Sequence, residues 1–254
     1  MTASWAVVTG ASSGIGWAVA EHLLKDGHHV AAWARREERL AGLVERYGAD
    51  RVRVNQVDVR DGATVRAAVA DLTGDGAEIG LLVNNAGLSL GLGPLDDGDA
   101  GDWHTMVQTN IEGLLACTHA VLPGMRSAGR GHIVNIGSLA AEYPFMGGNV
   151  YAGTKAFVHH LTANLRVDLQ GSGVRVTCVA PGMVRSEFAL VRFGGDRDRA
   201  DALYSGIEPL TPDDVADAVV WAHRCPANVN VNYIELMSLD QPYGLALTRR
   251  KDAR

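Results

Sequence analysis

Tyr151 and Lys155 stand four residues apart, and this pair is the clearest candidate in the sequence for acid–base chemistry. In a helix, side chains at positions i and i+4 share one face, with Cβ atoms about 5–6 Å apart. The pKa of a free tyrosine phenol, about 10, is too high for proton transfer at neutral pH, but a neighbouring ammonium group favours the phenolate and lowers this pKa. The pair could therefore protonate an alkoxide or, in reverse, deprotonate an alcohol. Taken alone, such a pair is more often an exposed helix face.

A glycine-rich segment follows the first predicted strand and reads Thr9-Gly10-Ala11-Ser12-Ser13-Gly14-Ile15-Gly16. Because glycine has no side chain, backbone N–H groups in such a turn can approach a pyrophosphate closely, and the N-terminus of the next helix adds partial positive charge. Three glycines alone would suit a plain strand–helix turn equally well. Their position between the first strand and first helix of a βαβ pattern favours dinucleotide binding.

The composition excludes several other classes of protein. A formal net charge of −6 leaves no basic surface of the kind that nucleic-acid binding requires. The three cysteines are too few and too scattered for a disulfide framework, and no CxxC or HExxH spacing predicts a metal site. The first residues run into a strand without a leader pattern, and no apolar run approaches the roughly 18 residues of a membrane span. We therefore expect a cytoplasmic protein with a small-molecule substrate and no nucleic-acid, membrane or metal partner.

Short β-branched runs alternate with stretches of helical periodicity along most of the chain. The predicted strands cover residues 5–9, 28–34, 51–57, 79–84, 131–137, 173–179 and 229–236. The predicted helices lie near residues 14–26, 37–47, 61–72, 101–128, 150–171 and 212–223. This alternation predicts an α/β Rossmann fold, a doubly wound, seven-stranded parallel sheet with helices on both faces. Since no linker or repeat interrupts it, we expect residues 1–254 to form a single dinucleotide-binding and catalytic domain.

Two stretches break the alternation, residues 86–100 and residues 181–211. Both follow strands at the edge where ligands of open α/β sheets bind, outside the carboxyl ends of the strands. A long loop in a compact domain is more often functional than idle. We therefore expect a substrate loop at about 181–211 and a C-terminal tail at about 237–254.

The order of the motifs resembles that of the short-chain dehydrogenase/reductase family. After the TGxxxGxG turn, the chain continues up to about residue 236 with the family's motifs in their usual order: Asp58, Asn84-Asn85-Ala86-Gly87, Asn110, Ser138, Tyr151-Ala-Gly-Thr-Lys155 and Pro181-Gly182. The stretches NNAGL, GGNVYAGTKAF and EFALVRFGGD are similar to the branch of NADP-dependent 3-hydroxy acid dehydrogenases, which includes serine and allo-threonine dehydrogenases and sulfoacetaldehyde reductases. The resemblance implies an oxidoreductase of small alcohols or carbonyl compounds that assembles as a homotetramer.

The resemblance also implies roles for individual residues. Tyr151 exchanges a proton with the substrate oxygen, Lys155 assists it, and Ser138 holds that oxygen by a hydrogen bond. Asn110 is the fourth catalytic residue and holds a water molecule that relays protons through Lys155. The residues expected to contact the cofactor are Gly10, Ser12, Ser13, Gly14, Ile15, Gly16, Arg35, Arg36, Asp58, Val59, Asn85, Ala86, Gly87, Tyr151, Lys155, Pro181, Gly182 and Val184.

NADP(H) is the expected cofactor. NAD-preferring relatives carry an acidic residue about 20 residues beyond the glycines, which binds the ribose 2′-hydroxyl. Here the second strand ends at Trp33-Ala34 and is followed by Arg35-Arg36. Cations at the start of a helix oppose its macrodipole, and a 2′-phosphate would explain them. The alternative is a pair of solvated arginines balanced by Glu37 and Glu38.

Arg185 and Arg192 lie in the expected substrate loop, and a guanidinium group suits a carboxylate or sulfonate in bidentate fashion. We prefer Arg192 as the residue that binds an anionic substrate. Its alternative role is a structural ion pair with Asp196 or Asp198. The opposite wall of the substrate site is expected to consist of Tyr143, Phe145 and Met146.

Three functions stay open at this point. The first is an NADP(H)-dependent dehydrogenase of small hydroxy acids, hydroxy amino acids or hydroxy sulfonates. The second is the same class of enzyme acting on an apolar or biosynthetic ketone or aldehyde. The third is a non-catalytic dinucleotide sensor, which the set of Ser138, Tyr151 and Lys155 argues against because a sensor needs no proton donor.

Overall fold

A single sheet of parallel strands forms the centre of the protein in the computed structural model, which describes residues 4–74 and 76–241. In these ranges the strands are β1 (Ser4–Thr9), β2 (His29–Ala34), β3 (Val52–Gln56), β4 (Glu78–Asn84), β5 (Gly131–Ile136), β6 (Val174–Pro181) and β7 (Tyr233–Leu236). The helices are α1 (Gly14–Lys25), α2 (Ala41–Tyr47), α3 (Gly62–Gly74), α4 (Ala100–Val107), α5 (Leu114–Ala128), α6 (Asn149–Asp168), α7 (Glu187–Arg192), α8 (Arg197–Ala202) and α9 (Pro212–Arg224).

The strands lie in the order β3-β2-β1-β4-β5-β6-β7, and every neighbouring pair is parallel. The order reverses between β1 and β4, so the strands β3-β2-β1 form one half of the sheet and the strands β4-β5-β6-β7 form the other. The prediction of a Rossmann fold with a doubly wound, seven-stranded parallel sheet is therefore confirmed.

The strands are apolar because helices cover both faces of the sheet. On one face, buried side chains of α1, α2 and α9 pack together, including Leu23, Leu43 and Val219. On the other face, α3 and α5 contribute Leu72 and Met125 among others. The sheet is thus held rigidly from both sides, which positions the loops at its carboxyl edge.

β7 is shorter than the predicted strand of residues 229–236. The side chain of Asn230 takes the place of the main-chain ladder, since its Oδ1 accepts from the Val176 N–H at 2.8 Å and its Nδ2 donates to the Val176 carbonyl at 2.9 Å. Backbone pairing begins only at Tyr233, opposite Cys178. A side chain that binds a neighbouring backbone competes in this way with regular structure.

The predicted helix of residues 101–128 is divided in two. A segment of π-helix, Gln108–Gly113, separates α4 from α5. Segments of this kind often occur at functional sites, because the widened turn displaces side chains from their regular α-helical positions. Asn110 lies inside this segment.

Residues 181–211 contain two short helices that the sequence pattern did not predict. Ser186 caps α7 by accepting from the Phe188 N–H at 3.3 Å, and Asp196 caps α8 by accepting from the Arg199 N–H at 3.1 Å. We refer to residues 184–204 as the lid. Most of the expected C-terminal tail, including Pro242 and Tyr243, lies outside the described residues.

In the described part of the chain, no helix is long and apolar enough to cross a membrane. Over the same residues, no group of three or more histidine, cysteine, aspartate or glutamate side chains could hold a metal ion.

Candidate active site

The carboxyl ends of the six strands β1 to β6 open onto one groove, where ligands of open α/β sheets bind. Every residue that the sequence analysis assigned to the cofactor lines this groove, with the exception of Gly16. The sequence analysis missed several further lining residues: Arg60, Leu88, Thr109, Ser186, Glu187, Phe188 and Val191. The last four of these come from the lid, whose short helices gave no recognisable sequence signal.

The glycine-rich turn depends on missing side chains at three positions. Gly10 and Gly14 have φ values of +65° and +52°, which favour glycine. A Cβ atom on Gly16 would lie 2.4 Å from both the Gly10 carbonyl oxygen and Asn85 Nδ2. Gly16 therefore supports the turn from behind and does not line the groove, so its assignment as a cofactor contact is corrected. It allows α1 to approach the loop after β4.

The loop after β4 is fastened to the end of β1. Thr9 Oγ1 accepts hydrogen bonds from the N–H groups of Asn85 and Ala86, both at 3.0 Å. Asn85 Nδ2 donates in return to the Thr9 carbonyl at 2.9 Å. These bonds place Asn85, Ala86 and Gly87 beside the glycine-rich turn, on the same wall of the groove.

The outer end of the groove carries a cluster of arginines. The guanidinium of Arg36 lies 3.3 Å from a carboxylate oxygen of Glu187, and Arg39 binds both oxygens of the same carboxylate at 2.9 and 3.0 Å. The partner of Arg36 is thus a lid residue, and the sequence had suggested Glu37 and Glu38 for this role. Among the described residues, no carboxylate forms an ion pair with Arg35, which leaves that guanidinium available to a ligand.

Asp58 lies beside these arginines after β3. The Arg60 side chain donates to both carboxylate oxygens of Asp58, and the Arg60 N–H also donates to Oδ1 at 3.0 Å. The hydrogen bond from Arg60 holds the pKa of Asp58 below its ordinary value. Asp58 is therefore an anion, fixed in orientation, at the outer end of the groove.

The inner end of the groove brings together Ser138, Tyr151 and Lys155. Ser138 follows β5, and its Oγ accepts from the Ala140 N–H at 3.1 Å, which fixes the side chain. Tyr151 and Lys155 lie on α6 and are 9% and 6% exposed. Lys155 Nζ donates to the Ile136 carbonyl at 2.8 Å, and it lies 6.0 Å from the centroid of the Tyr151 ring.

Burial dominates the electrostatics of this pair. It raises the pKa of Tyr151 above its ordinary value, while a hydrogen bond with Ser138 and the charge of Arg192 act in the opposite direction. Burial also lowers the pKa of Lys155 to about 8. The sequence had led us to expect Lys155 as the cation nearest the phenol, but the guanidinium carbon of Arg192 is closer, at 5.3 Å from the ring centroid.

Asn110 connects three parts of the site. Its Oδ1 accepts from the Leu88 N–H at 2.9 Å, and its Nδ2 donates to the Leu88 carbonyl at 2.8 Å and to Thr154 Oγ1 at 3.0 Å. A Cβ atom on Gly87 would lie 3.2 Å from Asn110 Oδ1 and 3.5 Å from Lys155 Nζ. Asn110 is therefore a neighbour of Lys155 across Gly87, and its amide holds the loop after β4 against α6.

The lid covers the inner end of the groove. Arg192 Nε donates to Ser89 Oγ at 3.1 Å, and the Arg192 carbonyl accepts from the Gly91 N–H at 3.0 Å. The Asp196 side chain caps α8, so the expected alternative for Arg192, an ion pair with Asp196 or Asp198, is not formed within the described residues. Arg185 stacks instead on Tyr204, with its guanidinium carbon 4.8 Å from the ring centroid.

The expected substrate wall of Tyr143, Phe145 and Met146 is only partly formed. Phe145 packs in the apolar cluster around Tyr151. Met146 is 93% exposed, so its assignment to the wall is wrong. The ring of Phe145 packs over Gly148, so closely that a Cβ atom on Gly148 would lie 2.3 Å from the ring. In this turn of the chain the next residue, Met146, faces away from the site. The Tyr143 hydroxyl points to Glu235, at 3.5 Å.

The apolar surface beside Tyr151 has other members that the sequence analysis did not name. Leu88, Leu90, Trp103, Met106 and Phe188 belong to the same cluster. The ring centroids of Phe188 and Tyr151 are 5.6 Å apart. The site is thus a narrow apolar space with one phenol, one hydroxyl and two cations, which suits a small molecule with a reacting oxygen.

Comparisons with known proteins agree with this geometry. A sequence model of short chain dehydrogenases matches residues 4–192. The NADP-dependent 3-hydroxy acid dehydrogenase of Escherichia coli (strain K12) is 46% identical over 246 residues, covering 96% of this chain and 99% of that protein. Sulfoacetaldehyde reductase 2 of Chromohalobacter salexigens is 48% identical over 240 residues, covering 93% and 95%. Among solved structures, the closed form of a serine dehydrogenase complexed with NADP+ is similar, with a TM-score of 0.92 and 45% identity over 97% of this chain and 100% of that one.

Proposed function

The chain belongs to the short-chain dehydrogenase family, and on that premise we propose that it is an NADP(H)-dependent oxidoreductase of small hydroxy acids and their carbonyl forms. The range of substrates includes hydroxy amino acids and hydroxy sulfonates, in keeping with the names of its relatives. The observation that carries the proposal is the meeting of Ser138, Tyr151 and Lys155 at the inner end of a groove lined by the glycine-rich turn. The chain works as one dinucleotide-binding and catalytic domain.

NADP(H) fits the groove on the chemistry of its lining. The turn at Gly10 and Gly14 offers backbone N–H groups to a pyrophosphate. The guanidinium of Arg35, which pairs with no carboxylate of the described residues, offers fork-like donors to a 2′-phosphate. Asp58 binds the adenosine part from the same end. The nicotinamide, when bound, supplies or accepts the hydride.

The residues at the inner end move the proton. Ser138 holds the substrate oxygen in place, and Tyr151 donates its phenolic proton to that oxygen during reduction or removes the proton during oxidation. Lys155 keeps the phenol supplied with a proton from its position against the Ile136 carbonyl. We keep for Asn110 the role of holding a relay water next to Lys155, and its three side-chain hydrogen bonds support the loop on which that role depends.

The substrate carries an anionic group, and Arg192 binds it. Arg192 comes from the lid, lies next to Tyr151 and forms no ion pair with a described carboxylate, so its charge is available. Among the described basic residues near Tyr151, Lys155 donates to the Ile136 carbonyl and is directed at the backbone. A carboxylate or sulfonate beside the reacting carbon would therefore find its partner in Arg192.

The enzyme forms a homotetramer through its helices α5 and α6. Leu115 and Phe157 are large apolar side chains on these two helices and are more than a third exposed, which supports burial in an interface. Light scattering coupled to size-exclusion chromatography should give about four times the mass of one chain, and the mass of a monomer would contradict this.

The function is tested by following NADPH oxidation with small aldehydes that carry a carboxylate, sulfonate, amine or apolar tail. We expect the highest kcat/KM with a carboxylate or sulfonate, and kcat/KM at least about tenfold higher with NADPH than with NADH. Arg192→Ala should raise KM for the acidic substrate and spare turnover of an uncharged analogue. The best activity with apolar tails would favour the alternative reductase function, and equal or better activity with NADH would contradict the cofactor.

A further inference from the structure

Arg192 lies between two aromatic rings of the active site. Its guanidinium carbon is 5.3 Å from the centroid of the Tyr151 ring and 5.2 Å from that of Phe188. The hydrogen bond to Ser89 Oγ and the bond from the Gly91 N–H to the Arg192 carbonyl fix both ends of the residue. Arg192 therefore has a defined place against the catalytic phenol before any substrate anion is considered.

Two cations face Tyr151, and they differ in how constant their charge is. Lys155 is on the same helix, and because burial lowers its pKa to about 8, it is partly neutral in mildly alkaline solution. Arginine stays charged throughout the range in which enzymes work, even though burial lowers the pKa of Arg192. Arg192 is thus the cation whose charge does not change while Tyr151 titrates.

The remaining neighbours of Tyr151 carry no charge that would cancel this effect. The hydroxyl of Ser138, from the segment after β5, is uncharged and lowers the pKa of the phenol. The loop after β4 contributes Leu88 and Leu90, helix α4 contributes Met106, and the lid contributes Phe188. Tyr204 lies behind Arg192, and burial raises its pKa, so it is neutral at the pH of the reaction. Among the described residues, the side chains that shift the pKa of Tyr151 are Ser138 and Arg192, and neither is a carboxylate.

We propose that Arg192 is a positioning residue for catalysis, which stabilises the phenolate form of Tyr151 from the lid in addition to binding the substrate anion. The inference rests on the proposed function only in taking Tyr151 as the residue that exchanges the proton. Its consequence is that Tyr151 is a stronger base beneath a lid that also covers the substrate. Base strength and shielding of the substrate from water are then coupled through one side chain.

The expected size of the effect follows from Coulomb's law. Arg192 lies 5.3 Å from the centroid of the Tyr151 ring, and a unit charge about 5–8 Å from the phenolate oxygen shifts its titration by about 1.5–2.5 pH units at an effective dielectric constant of about 20. Because Arg192 is only partly buried, water screens part of its charge. We therefore expect the charge of Arg192 to move the titration of Tyr151 by about 1 pH unit.

The test compares Arg192→Met and Arg192→Lys with the wild type in the oxidation of an uncharged alcohol by NADP+ over a range of pH. An uncharged substrate offers no anion to Arg192, so any change must come through the enzyme's own groups. The rate rises with pH as the phenolate forms, and loss of a cation raises the pKa of the phenol. In Arg192→Met, the rising part of the plot of kcat against pH should therefore move about 1 pH unit upwards. At pH values below this rise, kcat should be about tenfold lower than in the wild type. Arg192→Lys keeps the charge, so the rising part of its plot should lie close to that of the wild type.

A measurement without turnover separates this effect from collapse of the lid. Phenolate absorbance is titrated in the enzyme alone, and the step that disappears in Tyr151→Phe is assigned to Tyr151. That step should move upwards in Arg192→Met and stay in place in Arg192→Lys. Fluorescence titration with NADPH checks that each variant still binds the cofactor.

Two outcomes would overturn the inference. The first is a pH profile for Arg192→Met that superimposes on that of the wild type, and the second is an equal shift in Arg192→Lys, which would make the shape of the side chain responsible. Failure of the proposed function is a different result. The wild type would then show no preference for acidic substrates, or Arg192→Ala would leave KM for an acidic substrate unchanged, whatever the pH profiles.

Discussion

The two ends of the groove both contain cations, but they place them in different surroundings. The arginine end, formed by Arg35, Arg36, Arg39 and Arg60, faces water, and the side chains of Arg36 and Arg39 are 44% and 42% exposed. The catalytic end, formed by Ser138, Tyr151, Lys155 and Arg192, is largely buried. The same kind of charge therefore acts weakly at one end and more strongly at the other, because water screens the arginine end more than the catalytic end.

This difference corresponds to the task of each end. On the proposed function, the arginine end holds the 2′-phosphate of the cofactor, and several exposed donors can share that task. The catalytic end has to change the protonation of one phenol, which requires an environment without competing water. Single substitutions at the arginine end should thus change cofactor binding by modest factors, whereas loss of the Tyr151 hydroxyl or the Lys155 amine should remove most of the activity.

The largest effect is expected for Tyr151→Phe, which keeps the ring and removes the proton donor. We expect kcat to fall by at least about 10²-fold, because general acid–base catalysis by a positioned side chain contributes about that much or more. Lys155→Met should cost a similar factor. Tyr47→Phe, which removes an outlying hydroxyl near Glu21, is the matched control and should keep normal kinetics. Half of the normal activity in Tyr151→Phe would refute the mechanism.

Asn110→Ala should have the next largest effect, which is a loss of stability of the folded protein. The substitution leaves the N–H and carbonyl groups of Leu88 without their partners in a buried place. We expect the free energy of unfolding to fall by about 2–4 kcal/mol in urea titrations, since buried unpaired polar groups are costly. Asn164→Ala, whose amide donates to the His160 carbonyl at an exposed position, should cost less than about 0.5 kcal/mol. Equal losses in both variants would contradict the assignment.

Arg35→Ala should change the choice of cofactor more than the chemistry. If Arg35 binds the 2′-phosphate, kcat/KM with NADPH should fall about tenfold and kcat/KM with NADH should change little, because NADH has no such phosphate. The control is Arg126→Ala, at the exposed last turn of α5, which removes one positive charge just as Arg35→Ala does. It should leave kcat/KM unaltered with both NADPH and NADH. A parallel loss with both cofactors would show that Arg35 supports the fold of the groove.

Glu187→Gln should give the smallest effect. Glu187 connects the lid to Arg36 and Arg39, so its loss should loosen the lid and raise KM for the substrate. Exposed ion pairs contribute about 0.5 kcal/mol each, so the loss of both pairs should raise KM about fivefold. At high ionic strength the KM of the wild type should rise towards that of the variant, because salt screens the ion pairs of Glu187. A larger effect that does not depend on salt would mean that Glu187 contacts the substrate or cofactor directly.

The glycine turn, the βαβ alternation and the i, i+4 spacing of Tyr151 and Lys155 are local patterns, and the sequence by itself determined them. Parallel strands with right-handed crossovers can meet only with their carboxyl ends along one edge. The sequence therefore also indicated that the residues after β1 to β6 would share a groove, as nearly all of the assigned cofactor residues do.

Only the tertiary structure decided the contacts of the lid. Glu187 meets Arg36 across 151 positions of sequence, and Arg192 meets Ser89 across 103. The π-helical segment at Asn110 and the outward turn of Met146 likewise depend on neighbours that no local pattern specifies. Local periodicity determines which face of an element is buried. The partner of a loop side chain depends on how distant segments pack. The sequence therefore left open whether Arg192 would pair with Asp196, Asp198 or the substrate. The fold placed Arg192 against the ring of Tyr151.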